Sequence, residues 1–172
     1  MNSKVYHDKF EGLLKRKAVN ESIYQVAMKT LEHRDGTGCE DLVALNALTG
    51  NVVVENTLSA AIGKTGFTLE QYEVIQKFNG DVILLHNHPN SSRPSFADIK
   101  TLFDHKFVNT SVIIGHDGSI HMITSPNRTV DIDSIWEKAY NYYLKKYQNR
   151  SVAEHKALDL LYKSDVFVYE SR

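Results

Sequence analysis

The sequence is poor in several features, and each shortage removes a class of protein. It has one cysteine, Cys39, so no internal disulfide can form and a cross-linked secreted scaffold is excluded. No apolar stretch follows the first residue and no 18-residue hydrophobic run occurs, which predicts a soluble, cytoplasmic protein with no membrane partner. An excess of one charge is also missing: 20 Lys and Arg against 21 Asp and Glu leave a net charge of -1. The basic residues are scattered, without the footprint that nucleic-acid binding needs, so no nucleic-acid partner is expected. Repeats and low-complexity segments are absent, which sets aside solenoids and disorder. The glycine-rich stretch from Leu58 to Gly66 has leucine where a phosphate loop would need its first glycine; it reads instead as a groove lining open to an extended peptide. At 172 residues and 42% hydrophobic, the chain suits one well-buried domain. We expect a domain over 1–128, N-terminal helices included, and a helical extension over 129–172 packed on it.

What is present is concentrated in Leu84-Leu85-His86-Asn87-His88-Pro89, followed by Ser95-Phe96-Ala97-Asp98. Val82-Ile83-Leu84-Leu85 is an unbroken apolar run after Gly80-Asp81, which predicts a strand buried on both faces. Residues i and i+2 of a strand project from one side, so His86 and His88 offer two imidazoles to one point while Asn87 faces away. Pro94 closes a short polar loop, and Phe96, Ile99, Leu102 and Phe103 repeat at helical spacing, with Asp98 in the first turn. Two imidazoles and a carboxylate leave a fourth position for water, the pattern of catalytic zinc. Singly, each residue has an ordinary explanation, a polar strand end or an acidic first turn. Strand and capping physics do not ask for the combination.

With these residues the chain resembles the JAMM/MPN zinc metallopeptidases, whose signature is a distant Glu, then His-x-His-Pro, a loop and Ser-x-x-Asp. His86-Asn87-His88-Pro89 is most similar to the RadC-like bacterial and phage branch, and the resemblance covers about residues 40–125, with a shorter loop before Ser95. It implies an α/β, three-layer JAMM/MPN (cytidine-deaminase-like) fold, a mixed central β-sheet flanked by helices, with extra C-terminal helices. It also implies Zn²⁺ held by His86, His88 and Asp98, and hydrolysis of a peptide or isopeptide bond.

The upstream glutamate is assigned to Glu55. Asp41–Asn46 and Val52–Asn56 read as a hairpin turned by Thr49-Gly50-Asn51, and a carboxylate after three valines needs either solvent or a site to face. Glu70 and Glu73 have structural explanations. Thr68-Leu69-Glu70-Gln71 is a capping box opening a helix that turns Tyr72, Ile75 and Phe78 inward and Glu73 outward. On this reading zinc lowers the pKa of its water from about 15.7 toward about 7. Glu55 then takes the water's proton and returns it to the leaving amine. Ser95 caps its helix and has a hydrogen left for the oxyanion. The substrate partner is a peptide or protein, with a ubiquitin-like conjugate or a bacterial or phage partner protein as candidates. The alternatives are a non-catalytic MPN-like scaffold and, less favoured for want of a basic face, a RadC-like DNA-associated protein.

Elsewhere, residues 4–33 read as helical in two segments, with Asn20 a candidate cap of the second, and residues 110–124 as a hairpin around Asp117-Gly118. His105, His116 and His121 are placed on a helix face, a loop and a strand surface, outside the ligand set. Capping boxes at Ser134–Glu137 and Ser151–Glu154 predict two further helices. The aromatic stripe of the first, from Trp136 to Tyr147, serves either core packing or a homo-oligomer or partner interface.

Overall fold

The structure, a computed structural model, describes residues 4–172. Its elements run α1 (Lys4–Asp8), α2 (Lys17–Arg34), β1 (Leu42–Asn46), β2 (Val52–Asn56), α3 (Leu69–Lys77), β3 (Val82–His88), α4 (Phe96–Asp104), β4 (Val108–Gly115), β5 (Ile120–Thr124), α5 (Ile132–Tyr147), α6 (Arg150–Tyr162) and β6 (Val168–Ser171). The chain is therefore α/β. The strands form one mixed sheet in the order β2-β1-β3-β4-β5-β6, in which only β3 and β4 pair in parallel.

All seven residues of β3 are buried, as an apolar central strand requires. Its alternation sorts the core into two halves. Ile83 and Leu85 join Val43, Leu45, Val112 and Ile114 on the face covered by Val19, Ile23, Ala27 and Leu31 of α2. Val82 and Leu84 join Leu42, Ala44 and Ile113 on the opposite face, against Ile75, Ile99, Leu102, Ile132, Leu158 and Leu161 from α3 to α6. Helices thus cover both faces of the sheet, and His86 and His88 continue the second face by the two-residue period. Among the described residues no helix is long and apolar enough to cross a membrane.

Several local expectations change. The helical stretch of residues 4–33 is two segments, α1 and α2, with Gly12 at φ +68° in the break. Asn20 caps neither: it lies inside α2, and its amide exchanges two 2.9 Å hydrogen bonds with the backbone of Leu14, tying down the preceding loop. The caps of α5 and α6 are Asp131 and Asn149, whose side chains accept from the amides of Ser134 and Val152 at 3.0 and 3.1 Å. These two side chains reach the free first-turn amides before the serines can. The C-terminal stretch is more than helical, since β6 pairs antiparallel with β5 and closes one end of the sheet.

Arg128 fixes the far end of α4. Its guanidinium donates to the carbonyl oxygens of Leu102 and His105 at 3.0 and 3.2 Å, to that of Val108, and to Asn109 Oδ1 at 3.0 Å. A cation on the last carbonyls of a helix satisfies its free acceptors and opposes its dipole. Hydrogen bonds to a charged group contribute about 1.5–3 kcal/mol each, with losses less than additive. Arg128→Met should therefore lower stability by about 2–4 kcal/mol in urea unfolding; a change below about 0.5 kcal/mol would remove this anchor from the account.

Candidate metal centre

The end of β3 carries both imidazoles to one point. His86 Nε2 and His88 Nε2 lie 3.0 Å apart. Asp98, in the first turn of α4, places Oδ1 3.1 Å from His86 Nε2 and Oδ2 3.5 Å from His88 Nε2. These three side chains, two of them buried, bring their ligand atoms within 4.8 Å of one another. His88 Nδ1 sits 2.9 Å from the carbonyl oxygen of Ser92, which accepts its proton and leaves the Nε2 lone pair turned into the cluster. Two nitrogens and a carboxylate facing one point are a donor set that suits Zn²⁺, with one position left over.

The short segment between strand and helix is braced from several sides. Ser95 is the N-cap of α4 in a reciprocal capping box with Asp98. Its amide and hydroxyl both donate to Asp98 Oδ2, at 2.6 and 2.7 Å. The hydroxyl hydrogen expected for an oxyanion is therefore committed to the aspartate, because the box folds that carboxylate back over the cap. From α6, Asp159 accepts from Arg93 at 2.9 Å, the ring of Tyr162 lies under the Arg93 guanidinium, and the Tyr162 hydroxyl donates to the carbonyl of Pro94. The C-terminal helices thus steady the loop that joins the ligands.

Glu55 is not part of this cluster. Its Cα partner across the sheet is Val43, whose partner on β3 is Leu85, so all three face α2. There Glu55 pairs with Lys29 at 2.9 Å, its side chain 41% exposed. The residue registered with His86 is Leu42. Two residues earlier along the same extended stretch stands Glu40, buried, in the wall of the same cavity as His86, His88, Ser95 and Asp98. Asn87, turned to the other side as its position demands, holds the backbone on both flanks of Glu40. It donates to the carbonyl of Cys39 at 3.1 Å and accepts from the amide of Asp41 at 2.8 Å. The Asp41 side chain is in turn gripped by Arg34 and His33, at 2.5 and 2.7 Å. The signal available in the sequence was the Glu40-Asp41 pair where β1 begins: alternation must send one of the two to each face, but their assignment needed the register.

Electrostatics follow from this packing. Burial pushes the Glu40 carboxyl up, with the nearby Asp98 charge adding and the two imidazoles opposing. For Asp98 burial also pushes upward, but the charges and hydrogen bonds of His86 and His88 outweigh it and hold the carboxyl far below the usual range. His88 is lowered by burial and raised more by Asp98, the Ser92 carbonyl and Glu40, so it ends above its ordinary value. His105, His116 and His121 do not join the cluster. His105 caps the end of α4, 2.7 Å from the Tyr72 hydroxyl, and His116 meets the Asn87 amide at 3.1 Å. His121 is buried, not on a strand surface, and lies 3.0 Å from the Tyr169 hydroxyl, because β6 covers β5. A second group, His7, Asp8 and Glu11, is also close enough to share a cation but lies exposed or half-exposed.

Comparison with known proteins gives no match: no family model fits the chain, and no curated protein or solved structure is significantly similar to it.

The direction of the shifts fixes a pH dependence for the metal-free protein. His88 and Glu40 bind their protons more tightly folded than unfolded, so both contribute stability that is full in acid and lost as pH rises through their folded values. Asp98 works the other way, and its contribution is lost only in strong acid. Metal-free protein should therefore lose thermal stability as the pH rises above about 6.5, the ordinary value for a histidine such as His88, while added Zn²⁺, whose ligands must be deprotonated, should restore more of it at the higher pH. Melting curves across that range would contradict this if metal-free stability rose with pH.

Proposed function

We propose that the protein is a zinc-dependent metallopeptidase or isopeptidase of the JAMM/MPN type, RadC-like in its motif, with the sheet serving as that class's three-layer core. The observation that carries the reading is the convergence of His86, His88 and Asp98 on one point, with the buried Glu40 lining the same cavity. His86, His88 and Asp98 would hold Zn²⁺, which when bound supplies Lewis acidity to a water and to the substrate carbonyl. Glu40 takes the role first assigned to Glu55. Its carboxylate accepts a proton from the attacking water as the carbonyl carbon gains an oxygen, and delivers it to the amine as the C–N bond breaks. A carboxylate made more basic by burial suits both transfers. Ser95 orients Asp98 through Oδ2 and leaves Oδ1 toward the His86 imidazole. Asn87 acts on Glu40 through the backbone, as a positioning residue.

These roles separate in a cleavage assay on a peptide library with zinc-loaded protein. Glu40→Gln should lower turnover by about 10²–10⁴-fold with zinc retained, while Glu55→Gln stays near wild type. The reverse ranking would return the base to Glu55 and contradict the assignment made here. Asn87→Ala should lower kcat with KM and zinc content nearly unchanged, and an effect confined to KM would exclude the positioning role.

A further inference from the structure

The cavity at the metal cluster is larger than a cation and a water require. It encloses about 960 Å³, near the top of the range of roughly 300–1,000 Å³ usual for small-molecule sites. Away from the cluster its wall is formed by Phe67, Tyr72, Ile75, Leu84, Phe107 and Val108. The polar groups in this part are mostly paired with one another. The Tyr72 hydroxyl lies 2.7 Å from His105 Nδ1, and Thr101 Oγ1 donates to the carbonyl of Ala97 at 2.9 Å. Burial lowers His105, which disfavours its charged form. An apolar wall continuous with a centre built to attack an amide has the composition of a side-chain pocket for the substrate of that centre.

Resting on the peptidase reading, we propose that this wall is a specificity pocket for a large apolar side chain, aromatic or branched aliphatic, next to the scissile amide. A glycine tail leaves the pocket empty, so the preferred substrates are peptides or proteins cut beside a bulky apolar residue.

The test uses the full chain and two sets of probes. Binding of N-acetyl-phenylalanine amide and N-acetylglycine amide to metal-free protein is followed by NMR titration. The phenylalanine amide should bind at least about tenfold more tightly, the lower end of what burying such a side chain gives. Thr101→Trp from α4 and Ser111→Leu from β4 each fill the cavity from a different side. Both should abolish the preference while circular dichroism and melting report a folded chain. Equal binding of the two amides, or a preference that survives in both folded variants, would overturn the pocket. Acetohydroxamate, which lacks a side chain, is titrated in parallel into zinc-loaded protein. Failure of the hydroxamate to bind while the amide preference stands would overturn the metallopeptidase reading, whereas hydroxamate binding without amide preference would overturn the pocket alone.

Discussion

The two-residue period at the end of β3 is the constraint on which everything else rests. His86 and His88 face one side only because the strand stays extended through His88, and Asn87 faces the other for the same reason. A one-residue slip would send the imidazoles toward α2 and bring Asn87 to the cavity. Pairing on both flanks, with β1 antiparallel and β4 parallel, together with seven buried residues, opposes that slip. The same alternation reaches into the neighbouring chain segment. Asn87 grips the backbone around Glu40 from behind, so one strand end sets both the ligand pair and the carboxylate opposite it.

Around that strand end the molecule gathers ionisable groups at a cost. Two imidazoles and two carboxylates stand largely out of water, and each unpaired buried charge is expensive. The surroundings offset part of it through the capping box at Ser95, the Ser92 carbonyl behind His88, and the brace from Asp159 and Tyr162. A divalent cation at the convergence would offset more, since it meets the negative carboxylate and both lone pairs at once. The C-terminal segment contributes directly: α6 steadies the ligand loop and β6 covers β5. Trp136 of α5 stacks on Phe96 at 4.4 Å, against the first residue of the helix that carries Asp98.

What could be read from the sequence was whatever depends on short range. The His-x-His pair followed from strand period, Asp98 from its place three residues after a capping serine, and the α3 capping box from Thr68 and Gln71. The carboxylate that shares the histidines' cavity could not be found that way. Glu40 and Glu55 both lie at or beside a strand, and only the pairing of β1 with β3 decides which faces the histidines. The same limit hid β6, a short strand whose burial pattern is mostly exposed and whose existence depends on a β5 edge lying open to it. Helix starts at Asp131 and Asn149 were displaced by serines three and two residues later that fit a capping pattern equally well on paper.

The central claim is that two imidazoles and one carboxylate meet about a single cation, and X-ray absorption at the zinc edge tests it most directly. Protein loaded with one equivalent of Zn²⁺ should give a low-coordinate site with two histidine nitrogens at about 2.0–2.1 Å and oxygen ligands completing the shell. A spectrum without histidine scattering, or one indistinguishable from hydrated zinc, would contradict the account.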